Sequence, residues 1–194
     1  MSYRTTPIDG LKAEMTKTDS KQRVLAKGRY LTFIDEEGWE YVIRAGITGI
    51  VVIVALTEER RLVLVEQYRR AVHKRVIELP AGLVGDVDGR RDEGMHDAAA
   101  RELEEETGYR AAEMVPLFEG PVAVGFSDEA VSFFHARGLT RVGPGGGDET
   151  EDIVVHEVAL GDLQAFVAEK IAAGLGVDPK IYAGLFLAGV TLPG

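Results

Sequence analysis

Apolar and polar positions change rhythm several times along the chain's 194 residues. Residues 46–56 are almost continuously Val, Ile, Leu and Ala, and residues 61–67 resume that density after the polar Thr57-Glu58-Glu59-Arg60. Runs of β-branched residues bounded by a turn predict two buried strands paired through it. Residues 29–34 and 39–44 are shorter and half polar, and Asp35-Glu36-Glu37-Gly38 between them predicts a hairpin. That short patterning persists up to residue 45. Residues 1–45 are therefore expected to form an N-terminal β-hairpin module, and residues 46–194 the main domain.

Beyond residue 82 the period lengthens. The loop over residues 85–92 is polar and carries no apolar period. A helix is expected to start between residues 92 and 95, to bury Ala98, Ala99, Ala100 and Leu103, and to end where Gly108 takes a left-handed conformation. Residues 114–118, 130–136 and 153–158 predict strands, and residues 160–173 and 179–190 predict helices. Asp178 is placed to cap the last helix, with Pro179 at its first position. Gly143-Pro144-Gly145-Gly146-Gly147 reads as a flexible loop, and it is not a Walker loop because no Gly-Lys-Ser/Thr follows. Strands and helices alternate irregularly and without repeats. The expected class is α/β, a mixed sheet with helices on both faces.

Composition narrows the function classes. A formal charge of -10 opposes attraction to nucleic acid polymers and anionic membranes. No cysteine is present, which removes disulfides, thiolate metal sites and cysteine nucleophiles. The first ten residues lack an apolar signal core and the longest apolar run is too short to span a bilayer, so a cytoplasmic protein is expected. The four histidines show no metal spacing and are expected to be structural.

The densest chemistry lies in Arg101-Glu102-Leu103-Glu104-Glu105-Glu106-Thr107-Gly108-Tyr109, preceded by Glu93 and by Glu78-Leu79-Pro80-Ala81-Gly82. On a helix Glu102 shares a face with Glu105 and Glu106, while Glu104 points elsewhere. Like charges at that spacing repel by a few tenths of a kcal/mol per pair, and the helix C-terminal dipole adds to the penalty. A hard cation relieves both. Magnesium takes oxygen ligands, commonly one or two carboxylates with water and substrate phosphates.

Glu93, the Arg-Glu-Leu-X-Glu-Glu-X-Gly run and the upstream Gly82 together resemble the Nudix box, the signature of hydrolases that cleave a diphosphate linked to another moiety. The resemblance implies a Nudix-type α/β/α sandwich. It also implies a magnesium site, which manganese can fill, formed by the Ala81 carbonyl with Glu102 and Glu106. Glu105 would bind a second ion or hold a metal-bound water. Arg101 would orient the glutamates, or simply pair with Glu93. One departure is visible: ten residues separate Gly82 from Glu93, about twice the family's usual spacing. Extra length in a polar loop is cheap, since doubling it costs only about 0.6 kcal/mol. The insert puts the position of Glu93 in question and leaves the helix untouched.

Outside the box, Val65-Glu66-Gln67-Tyr68-Arg69-Arg70 and the following strand are similar to the ADP-ribose pyrophosphatase branch of the family. That branch implies a homodimer in which Trp39 stacks on a base, with Glu40 accepting from its exocyclic amine and Arg44 as a further contact. Arg69 suits phosphate oxygens, since a guanidinium fork matches them. His73, Lys74 and Arg75 read as a solvated basic patch. Residues 122–129 are similar to another segment of the branch, which makes Glu129 a candidate site carboxylate, with pairing to an arginine as the competing account. Residues 147–153 are similar to the branch's catalytic loop, whose glutamate is Glu149. The implied reaction is hydrolysis of ADP-ribose to AMP and ribose 5-phosphate, with Glu149 as base. A GDP- or UDP-sugar as substrate, or a nucleotide-binding domain without activity, are the alternatives.

Overall fold

The computed structural model describes residues 21–85, 92–147 and 151–192. Three strands open the described chain: β1 (Gln22–Lys27), β2 (Leu31–Glu36) and β3 (Trp39–Arg44), antiparallel in that order. The β2–β3 connection is the expected hairpin. Glu37 and Gly38 both take positive φ, at 55° and 88°, while Glu36 pairs with Trp39. Two left-handed residues in a two-residue loop match the right-handed twist of the flanking strands. The Asp35 carboxylate accepts the Gly38 N–H at 2.8 Å and holds the turn. β1 is exposed along its whole length, so no alternation of apolar residues marks it in the sequence.

The main body contains β4 (Gly49–Ala55), β5 (Arg61–Arg69), β6 (Lys74–Glu78), β7 (Ala81–Val84), the helix α1 (Met95–Thr107), β8 (Tyr109–Pro121), β9 (Ala130–Arg141), β10 (Val154–Ala159), α2 (Leu163–Ala172), β11 (Gly176–Val177) and α3 (Lys180–Leu187). Its strands form two four-stranded sheets, in the orders β10-β5-β6-β11 and β7-β4-β9-β8. Each is mixed: β4 runs parallel to β9, and β11 parallel to β6, with the other pairs antiparallel.

One sequence expectation is corrected here. β4 and β5 are both buried, but they are not ladder partners. They meet only at the Leu56–Leu62 bridge beyond the turn and then diverge, one into each sheet. Both strands are apolar on both faces because helices cover both sides, and such a run carries no record of which strand lies beside it.

The alternation of side chains along β4 divides the core in two. Val51, Ile53 and Ala55 pack with Ala98, Ala99 and Leu103 of α1. Val52 and Val54 point the other way, to Leu163 and Val167 of α2 and to Ile181 and Leu185 of α3. Two apolar layers flanking shared strands make the expected α/β/α sandwich. Gly184 of α3 lets that helix approach: a Cβ there would lie 2.7 Å from Leu79 and 2.8 Å from Val54.

The helix ends follow local chemistry. The Asp178 carboxylate accepts the Lys180 N–H at 2.8 Å, but Pro179 stands at the cap and the helix begins at Lys180, one residue later than expected. Residues 160–162 form a 3-10 turn before α2, so that helix starts later than the apolar pattern does. Among the described residues no helix is long and apolar enough to cross a membrane.

Candidate active site

The site forms where the chain leaves one sheet for the other. β6 ends at Glu78, Leu79 and Pro80 cross over with the Pro80 carbonyl accepting the Ile53 N–H at 2.8 Å, and β7 then lies beside β4 with Ala81 opposite Val52 and Gly82 opposite Val51. That register presses Gly82 against α1. A Cβ built on Gly82 would fall 1.9 Å from Glu102 Cδ and 2.1 Å from its Oε1, so the glycine backbone is the floor on which the Glu102 carboxylate rests. One residue earlier, the Ala81 N–H donates to Glu106 Oε2 at 3.0 Å.

Glu106 is 1% exposed. Burial drives its carboxyl well above the ordinary range, the Ala81 N–H works against this, and the negative charges of Glu102 and Glu151 push it further up. A cation placed beside such a carboxyl would favour its charged form.

Arg101 gathers the other acids. Its Nη1 donates to Glu102 Oε1 and Glu105 Oε2, both at 2.9 Å, while Nε and Nη2 each reach a Glu93 oxygen at 3.1 Å. Burial lowers its affinity for its proton, but the three carboxylates outweigh that and hold the guanidinium charged. Orienting the glutamates and pairing with Glu93 are therefore one arrangement. The longer loop does not carry Glu93 away from the box, and its side chain is only 8% exposed. Glu104 points out and pairs with Arg110, as its helical phase predicts.

The glycine run at residues 143–147 is a second correction. It is docked on the C-terminal end of α1. The N–H groups of Gly108, Gly147 and Gly146 donate to the carbonyls of Glu104, Glu105 and Glu106 at 2.9, 3.0 and 2.8 Å, closing three bonds that a helix end otherwise leaves open. Side chains cannot fit there: a Cβ on Gly145, at φ 70°, would sit 2.4 Å from the Thr107 carbonyl carbon. Composition alone suggests flexibility, whereas the contact shows why these positions are glycine.

This docking brings in a residue that the sequence reading missed. Glu151 folds over Gly147, its Oε2 lying 2.3 Å from where a Cβ would be, and its charge acts on Glu106. Its place two residues after Glu149 in the same acidic stretch of the sequence was the available signal. Glu149 itself lies outside the described residues.

The remaining predicted residues fall into two groups. Arg69 makes a bidentate pair with buried Glu78, both contacts at 2.6 Å, and lies close enough to Glu106 to feel its charge. Arg44 Nε donates to Glu129 Oε1 at 2.6 Å, joining two predicted site residues in the way the competing account described. They line a cavity of about 190 Å³ with Thr48, Gly49 and Asp128. β3 is fixed there by the Val42 N–H, which donates to the Phe126 carbonyl at 2.8 Å. Gly49 pairs with Val84 and Val52 with Ala81, so this cavity lies about 10 Å along the strand from the acidic cluster. Trp39 and Glu40 are exposed at the other end of β3. Five residues of strand put Trp39 roughly 17 Å from Arg44, so within one chain they do not face one base together.

Among the described residues no three acidic or histidine side chains stand preassembled as a metal cage. The donor set nevertheless fits a hard cation of the magnesium type, which binds through one or two carboxylates and completes its shell with water and phosphate. The glycine floor under Glu102 and the buried carboxyl of Glu106 are the specific points of fit.

A box helix of carboxylates docked on a glycine of the adjoining strand, within an α/β/α sandwich, defines a class, and comparison with known proteins agrees. Residues 47–174 match the model of the NUDIX domain. The chain belongs to the Nudix family. It is 36% identical over 123 residues to the methanol dehydrogenase activator of Bacillus methanolicus and 33% identical over 123 residues to the ADP-ribose pyrophosphatase of Bacillus subtilis (strain 168). Each match covers 63% of this chain and 64% of the relative, so the chain spans a little under two thirds of either protein. A solved ADP compounds hydrolase shares the fold, with a TM-score of 0.65 over 87% of this chain and 89% of that one at 21% identity.

Proposed function

We propose that this protein hydrolyses the diphosphate of ADP-ribose, in a divalent-metal-dependent reaction, to AMP and ribose 5-phosphate. The observation that carries the proposal is the Gly82-supported Glu102 beside buried Glu106, with Arg101 holding Glu102 and Glu105 in one orientation. Similarity to an ADP-ribose pyrophosphatase supports the choice of substrate.

Glu102 and Glu106, with the Ala81 carbonyl, would hold magnesium or manganese, and Glu105 would hold a second ion or orient a bound water. Such an ion, when bound, neutralises charge on the non-bridging phosphate oxygens. Arg69 would contact phosphate from the side of its guanidinium not engaged by Glu78, with Glu78 fixing the fork. Glu151 would stand beside Glu106, and Glu149 would take the proton from the attacking water. Arg44 and Glu129 would position the ribose or base. Trp39 and Glu40 would read the adenine of the other subunit in a homodimer, a role for which the exposed end of the hairpin leaves them open.

Incubation with magnesium and a panel of ADP-ribose, GDP-mannose, UDP-glucose and capped RNA, followed by separation of products, tests this directly. AMP from ADP-ribose is expected at the highest kcat/KM. Preference for another nucleotide sugar moves the substrate and keeps the chemistry, and no cleavage with either metal overturns the enzyme. Replacing Glu149 with Gln is expected to lower kcat by roughly 10²-fold with little change in KM; an unchanged kcat transfers the base to the box helix.

A further inference from the structure

The sequence places Arg75 in a solvated basic patch with His73 and Lys74, and those two are indeed exposed. Arg75 is not. All three of its guanidinium nitrogens are engaged. Nε donates to Glu66 Oε1 at 2.7 Å, Nη1 to Asp152 Oδ2 at 2.8 Å, and Nη2 to the carbonyls of Glu66 and Asp152 at 3.1 Å each. The fork thus grips β5 with one side and, with the other, both the side chain and the main chain of a residue just before β10.

The arm of this grip that reaches Asp152 adds little to the stability of the fold. The Asp152 side chain is 83% exposed, and exposed ion pairs contribute little. Nor does Glu66 depend on Arg75 alone, since its second oxygen receives His156 Nε2 at 2.9 Å and Lys170 Nζ at 3.1 Å. The clamp makes sense as a means of placing what lies next to it. Asp152 follows Glu151 directly. On the N-terminal side of the same segment, Gly146 and Gly147 are bonded to the end of α1. The segment is therefore tied at both ends, to the acidic helix by main-chain amides and to β5 and β6 through Arg75.

We infer that Arg75 is a positioning residue for the proposed hydrolysis, clamping Asp152 so that the carboxylate of Glu151 is held beside Glu106. The inference rests on the function proposed above and concerns a residue that touches neither substrate nor metal. It requires a planar fork: a lysine ammonium cannot reach two acceptors on Asp152 and two on Glu66 together.

The test compares Arg75→Ala, Arg75→Lys, Asp152→Ala and the control Lys74→Ala in the full chain, by steady-state kinetics with ADP-ribose and by hydrogen exchange. Arg75→Ala and Asp152→Ala are each expected to lower kcat about tenfold with KM within about twofold of wild type, and together to cost no more than either alone. Arg75→Lys is expected not to rescue, and Lys74→Ala to behave as wild type. Exchange is expected to quicken over residues 145–147 and 151–153 and to stay unchanged in α1. Unaltered exchange in Asp152→Ala overturns the clamp, and quickened exchange with unaltered kcat overturns its role in the reaction. Asp152 is exposed, so its variant folds even if Arg75→Ala does not. If the wild type cleaves none of the panel, the proposed function falls while the exchange measurement still decides whether the clamp exists.

Discussion

Glu102 lies so close to Gly82 that a single added methyl group would overlap its carboxyl carbon, at 1.9 Å. Gly82 pairs with Val51 in an ordinary antiparallel ladder, and its φ is not positive, so alanine is compatible with its backbone. Gly82→Ala therefore displaces Glu102 without straining the strand. We expect kcat to fall by about 10²-fold, the scale of a 1 Å misplacement, while the thermal transition moves little. Isothermal titration with manganese should show the matching loss of affinity; wild-type affinity would mean that Glu102 does not need its glycine floor.

Arg101 donates to Glu93, Glu102 and Glu105, and the side chains of Arg101, Glu93 and Glu102 are 11%, 8% and 13% exposed. Removing one partner from a buried charge cluster costs about 3–5 kcal/mol. Arg101→Ala should lose stability on that scale in urea. Magnesium should restore more stability to this variant than to the wild type, because the ion replaces part of the missing positive charge. Equal stabilisation of both proteins by magnesium would refute that account.

The pH dependence of the metal-free protein follows from Glu106. Its carboxyl is raised well above the ordinary 4.5, so the folded state binds this proton more tightly than the unfolded state does. Its stabilising contribution is complete below that ordinary value and is lost as pH climbs through the folded value. As pH rises above the ordinary carboxyl value of 4.5, the melting temperature without metal should decline more in wild type than in Glu106→Gln. Cation affinity should rise over the same range, since binding expels the proton. Parallel melting curves for the two proteins would rule out Glu106 as the group responsible.

Two glycines with left-handed backbones separate docking from conformational strain. Gly145 has φ 70° and a backbone collision at 2.4 Å, whereas Gly174 has φ 88° and nothing within 4 Å. Gly174→Ala should cost about 1 kcal/mol, from conformation alone. Gly145→Ala should cost clearly more, about 2–3 kcal/mol, and should lower kcat as well. Chemical denaturation measures both, and equal losses would show that the glycine run does not bear on α1.

What the sequence made legible were features written in local chemistry. Gly108 ends α1, Asp178 bonds to Lys180, and Glu37 with Gly38 turns the first hairpin. The helical phase of Glu102, Glu105 and Glu104 also carries over directly, because spacing along a helix fixes direction. Pairing was not legible. Residues 49–55 and 61–69 are apolar on both faces, and nothing in such runs says that they part company after one bridge. The roles of Arg75 and of the glycine run depend on residues far off in the chain, Asp152 in one case and the carbonyls of Glu105 and Glu106 in the other. Composition assigned both to solvent.

The closure of the box helix by main-chain amides has an evolutionary corollary. Contacts made by N–H groups are blind to side-chain identity, so they persist whatever the residues downstream of Gly147 become, provided that the glycines themselves stay. Side chains after residue 147 can therefore be exchanged without changing where the acidic helix ends.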